Sequence, residues 1–295
     1  MKTALFLVAM CSVASADSKA WSTGKSVINA DASVVGGISA GAVRNSDLYK
    51  QWIPVLMAQA GDAKKAFDQI QSTCNIDVLG SIDSVAFGVD DKKAGTIVVA
   101  FRGTDHKAID ACFKKLGDAD KKPVTIKTEG KLSRYEGMAD QPIFMQWLAS
   151  DVVAISTETN DKDKTQKLLA GGITGVAKLK SPIANVNKGS SLWFVVDKAA
   201  MDGDTGDIQQ IYGNADVANK KITITSHITT TNADAATQLA AKGTKKLADA
   251  QGSATKAVQT AIGAISIKTA GADVVATASL KEEDVVPLVT SLMMR

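Results

Sequence analysis

The chain has 295 residues, 45% of them hydrophobic and 22% charged, with a net charge of +3. So small an excess excludes the strong basic face of a nucleic-acid binder, and paired lysines such as Lys64-Lys65 and Lys245-Lys246 read as solvated surface. Two histidines and three cysteines are too few, and too scattered, for a zinc-type metal centre.

At the N-terminus Lys2 precedes an apolar run, Ala4 to Met10, and then Ala14-Ser15-Ala16. This pattern predicts a signal peptide over 1–16, cleaved to leave Asp17 first. The run is too short to span a bilayer, which takes about 20 residues. No later stretch approaches that length, so the mature chain has no expected transmembrane segment. Cys11 offers an alternative, a lipid anchor, but Met10 stands where a lipobox needs Gly, Ala or Ser. Residues 17–30 read as an N-terminal extension.

A strand is expected over 33–39, then a helix over 46–73. Ser46 can cap that helix, Leu48, Trp52 and Leu56 line one face, and Gly61 interrupts it. Val85, Phe87 and Val89 alternate, as do Ile97, Val99 and Phe101, giving a hairpin turned at 90–95. Thr104 or Asp105 then caps a helix over 105–116, whose Ile109, Cys112, Phe113 and Leu116 share one face. A strand over 123–129 completes βαββαβ, the order of a ferredoxin-like sandwich with helices on one face of an antiparallel sheet. A strand (150–157) and a helix (161–170) finish a unit spanning 31–171.

Residues 172–188 read as a connector, and 189–295 as a second, related α+β unit. Val124 to Gly130 matches Ile265 to Gly271, and Asp151 to Ser156 matches Asp273 to Ala278. The segments 96–118 and 221–249, and 32–39 and 190–197, pair in the same order. An internal duplication accounts for all four matches. The first unit inserts 131–150, which carries Tyr135, Phe144 and Trp147. These aromatics either seal an extra hairpin or form a partner-binding projection. After export, Cys74 and Cys112 form an even pair and are expected to be bridged. Cys74 precedes the hairpin, and the helix bearing Cys112 must fold back across the sheet towards it.

Gly37-Ile38-Ser39-Ala40-Gly41 fits G-x-S-x-G between a strand and a helix. It is similar to the nucleophile motif of patatin-type lipases, and Asp202-Gly203 resembles their dyad aspartate. VVAFRGT at 98–104 resembles a strand of class 3 lipases. The alternative these imply is a serine hydrolase using Ser39 with Asp202 or His227. Against it, residues 17–36 hold no Gly-rich oxyanion loop, and the only GxSxG precedes FRGT instead of following it. The repeat also aligns Ser39 with Asp197, so helix capping explains both halves. Asp202, Asp204 and Asp207 have the spacing of a calcium loop, but Gly213 stands where the bidentate Glu belongs. His106 and His227 are each alone in sequence.

Cys74-Asn75-Ile76-Asp77 and the hairpin–helix unit holding Cys112 resemble predicted secreted bacterial proteins with a duplicated α+β domain of unknown function. That family has no assigned activity, catalytic residue or cofactor, so none is carried over. The expected function is a non-enzymatic binding or structural module of the bacterial envelope. Its expected location is periplasmic or secreted, and its expected partner is an unidentified protein or envelope component.

Overall fold

The computed structural model describes residues 17–59, 61–137, 140–201, 203, 205–252 and 255–285. The expected signal peptide, Cys11, Asp202 and Asp204 lie outside them. In chain order the elements begin α1 (Lys19–Gly24), β1 (Val34–Ser39), α2 (Ala40–Val43), α3 (Asp47–Gln59), α4 (Asp62–Cys74), α5 (Val78–Ser81), β2 (Ile82–Val89) and β3 (Gly95–Phe101). Next come α6 (His106–Ala119), β4 (Thr125–Glu129), β5 (Leu132–Glu136), β6 (Ile143–Ala149), β7 (Val152–Ser156), α7 (Lys162–Leu168) and α8 (Ala177–Asn185). The last are β8 (Leu192–Asp197), β9 (Ile208–Ala218), β10 (Lys221–Thr230), α9 (Ala233–Gln251), α10 (Lys256–Gly263), β11 (Ile265–Ala270) and β12 (Asp273–Lys281).

Local chemistry sets the boundaries. Asp105, not Thr104, caps α6: its Oδ1 accepts from the Ala108 amide at 2.8 Å. Asp161 and Asn232 do the same for α7 and α9, each satisfying an amide that helix geometry leaves free. The helix expected over 46–73 is two helices, parted at Gly61, whose φ of 52° is left-handed. Ser46 accepts from the Tyr49 amide at the start of α3. There the Leu48 amide also donates to the Glu282 carboxylate at 3.0 Å.

One 12-stranded sheet runs through the molecule in the order β11-β12-β10-β9-β8-β1-β2-β3-β7-β6-β5-β4. Its pairings are all antiparallel. This departs from the ferredoxin-like order, whose split βαβ units hold their two parallel strands apart with an antiparallel strand between them. Here β1 pairs directly and antiparallel with β2, the strand that follows it after α2–α5, and no strand lies between them. Residues 131–150 supply β5 and β6, which lie between β4 and β7.

Helices pack on both faces, not one. Along β3, Val98 and Ala100 join one buried cluster with Trp21, Ile28, Leu179 and Trp193. The alternate Val99 and Phe101 join a second with Phe113, Tyr135 and Trp147. Opposite faces of a strand carry alternate residues, so α1 and α8 cover one face and α6 the other. Residues 17–30 contribute to this core: Trp21 meets Trp193 edge-on at 4.9 Å, and Ile28 is fully buried. The expected connector likewise contains α8, with Leu179 fully buried. A disulfide joins Cys74, at the end of α4, to Cys112 in α6, with Cα atoms 5.2 Å apart.

Candidate functional site

The α6-covered face of the sheet is apolar from β8 to β3. Strand register aligns Leu192, Ile38, Val85 and Val99 in one row. Phe194, Gly36, Phe87 and Ile97 form the next, and Val196, Val34 and Val89 the third. At about 4.8 Å per strand the four strands make a floor about 14 Å across. Among the described residues, α6 and α9 pack towards the two ends of this face. Phe113 of α6 packs against the β3–β7 side, and α9 lies on β10, β11 and β12, its Gly243 facing Ile267. Between them Ile38 is 41% exposed, Leu192 38% and Ile97 37%. Three large apolar side chains thus lie exposed on one face of neighbouring strands.

Two glycines shape it. A Cβ on Gly36 would lie 2.7 Å from the tip of the Phe87 ring, and one on Gly37 would lie 2.5 Å from Trp193 Nε1 on the opposite face. The glycine pair in β1 lets one aromatic lie across each side of the sheet. Gly37, the first glycine of GISAG, thus has a packing role independent of any nucleophile.

Ser39 ends β1 and precedes α2, the strand-to-helix context its motif requires. Its backbone is extended (φ −95°, ψ 92°), and its side chain makes no capping bond. Asp197 does cap, accepting from the Ala199 amide at 3.1 Å and from Lys178 Nζ at 3.1 Å. His227 is level with Val35, through Tyr212 and Val195. It therefore stands three strands and four residues from Ser39, about 20 Å away. Register keeps the two apart. Asp207 binds Thr231, accepting from its Oγ1 at 2.9 Å. Among the described residues, no group of three His, Cys, Asp or Glu side chains is placed to hold a metal.

Each histidine stands beside an aspartate that also accepts from a tyrosine. Asp110 lies 3.2 Å from His106 Nε2 and accepts from Tyr135 at 2.8 Å. Trp147 Nε1 donates to Tyr135 at 3.0 Å and stacks on His106 at 4.2 Å between centroids. On the other face, Asp273 lies 3.7 Å from His227 and accepts from Tyr212 at 3.0 Å, with the two rings stacked at 4.7 Å. Burial raises both tyrosine pKa values, and the neighbouring aspartate adds to the effect. Tyr135 and Phe144 are buried, on opposite faces of the sheet, and Trp147 packs in the α6 cluster. The aromatics of 131–150 thus seal the sheet and do not project from it.

The open apolar face was not foreseen. The near-continuous apolar runs 34–38 and 192–196 read as central strands covered on both sides and give no sign of it. Among the described residues only one side of these strands is fully covered.

No protein-family model matches the chain, and no curated protein sequence matches it. Solved structures of TP0453 share its fold. Crystal form III of TP0453 superposes with a TM-score of 0.52 and 9% identity, covering 90% of this chain and 97% of that one. Crystal form IV gives 0.50 and 8%, over 90% and 95%. The chain therefore has an α+β fold, built on one large antiparallel sheet, that is similar to the fold of TP0453.

Proposed function

We propose that the chain is an exported, non-enzymatic binding module of the bacterial envelope, and that the open face of β8, β1, β2 and β3 receives its partner. The exposure of Ile38, Leu192 and Ile97 on one side of the sheet carries this reading. The intramolecular disulfide suits an oxidising compartment. Among the described residues no helix is long and apolar enough to cross a membrane. The strand order favours duplication: outward from the β1–β8 seam it runs β1-β2-β3-β7 on one side and β8-β9-β10-β12 on the other.

Binding of an apolar fluorescent dye such as anilinonaphthalene sulfonate tests the site. The folded protein is expected to enhance the dye's emission, and Ile38→Asp with Ile97→Asp to abolish most of that gain without changing the circular dichroism. A native protein that leaves the dye dark would end this proposal.

A second reading keeps Ser39 as a hydrolase nucleophile, favoured by its place between β1 and α2. A fluorophosphonate probe decides it. Labelling that disappears in Ser39→Ala would establish the hydrolase; no labelling is expected.

A further inference from the structure

The face opposite the open one carries a separate cleft of about 570 Å³, within the range of small-ligand sites, between the β4–β5 turn, β6, α7 and residues 26–27. Its floor is aliphatic: Val27, Leu132 and Leu169 are each under a tenth exposed, and Leu148 packs beside them. Gln146 and Gln166 reach it from β6 and α7. Neither side-chain amide has a hydrogen-bond partner among the described residues. The rim holds one carboxylate and one ammonium, Glu129 and Lys131.

The two charges differ in availability. Glu129 is engaged on both oxygens, by Arg134 Nη1 at 3.1 Å and Lys162 Nζ at 2.7 Å, and these cations hold its pKa below the usual carboxylate range. Lys131 is exposed and has no ion-pair partner among the described residues. The corner therefore offers a ligand one free cation, two amides that can each donate and accept, and an aliphatic floor.

We propose that this cleft binds a short aliphatic peptide by its free C-terminal carboxylate. Lys131 takes the carboxylate, Gln146 and Gln166 pair with backbone amides, and the floor of Val27, Leu132, Leu148 and Leu169 takes an aliphatic side chain. The uncharged amides and the absence of a second free cation set this ligand apart from a polyanion, and the lack of an aromatic wall sets it apart from a stacked ring.

Calorimetric titration with N-acetyl-Leu-Val-Leu, and separately with its C-terminal amide, tests the assignment. The acid is expected to bind with a sub-millimolar dissociation constant, and the amide at least about tenfold more weakly, the loss expected for one charged contact. Lys131→Gln should weaken the acid by a similar factor and leave the amide unchanged, while Gln146→Leu should weaken both. Lys131 is exposed, so its variant should melt as the native protein does. Ile38→Asp with Ile97→Asp should leave peptide binding intact, which separates this site from the open face. No binding of the acid at millimolar concentration, or equal binding of acid and amide, overturns the proposal.

Discussion

Gly37 shows how much one missing methyl group fixes. Its neighbour across the sheet, Trp193, is fully buried and lies where a Cβ would go. Gly37→Ala is expected to lower stability by about 1–3 kcal/mol, as overpacking does, and urea unfolding will measure it. The Tyr135 hydroxyl is similarly committed, donating to Asp110 and accepting from Trp147. Tyr135→Phe leaves Trp147 Nε1 without its acceptor and takes one partner from Asp110, and should cost about 1–3 kcal/mol. Titration carries the opposite face of the same effect. Burial and Asp110 raise the Tyr135 pKa, and burial and Asp273 raise that of Tyr212. The folded state thus holds these protons more tightly than the unfolded chain. The resulting stabilisation is complete below the unfolded value of about 10 and is lost as pH rises through the folded values. Alkaline melts should show that decline, and Tyr135→Phe should shallow it.

At the level of elements, two tethers act on helices. The disulfide closes a loop of 38 residues between α4 and α6, worth about 4 kcal/mol in the chain-entropy model. Cys74→Ser with Cys112→Ser should lower the melting temperature accordingly. Glu282 fastens the start of α3 to the end of β12 by accepting from the Leu48 amide. Glu282→Ala should cost about 1 kcal/mol and speed hydrogen exchange across α3 while β12 stays protected. Sequence periodicity revealed the β2–β3 hairpin, the α6 face and the cysteine pair, because each is written in residues close together or in side chains on one stripe. It missed the packing of Trp21 and Leu179, because short apolar segments flanked by polar residues look like linkers until a sheet is there to receive them. It also missed the sheet order: alternation fixes which side chains share a face, but not which strand lies next to which.

Considered whole, the molecule treats the two sides of one sheet differently. The Trp21–Trp193 side is closed by α1 and α8, with buried Val35, Ala86 and Val98 beneath. The Ile38–Leu192 side is open at its middle among the described residues. The candidate site was illegible for this reason, since exposure is a property of what fails to cover a strand and has no local code. Ser39, His227 and the two cysteines were legible as residue types, yet only the cysteines meet.

The pairing of β1 with β8 joins residues far apart in the chain, Gly36 beside Phe194. During synthesis β1 emerges long before its partner, and loop closure over such a span is slow. The seam at the centre of the sheet is therefore expected to be its last part to zip. Until it does, both strands present bare amides and carbonyls to any neighbouring chain. Neither flank alone has a way to shield them, so a chain cut near residue 171 should aggregate where the full chain folds, and supplying residues 172–295 as a separate fragment should rescue it.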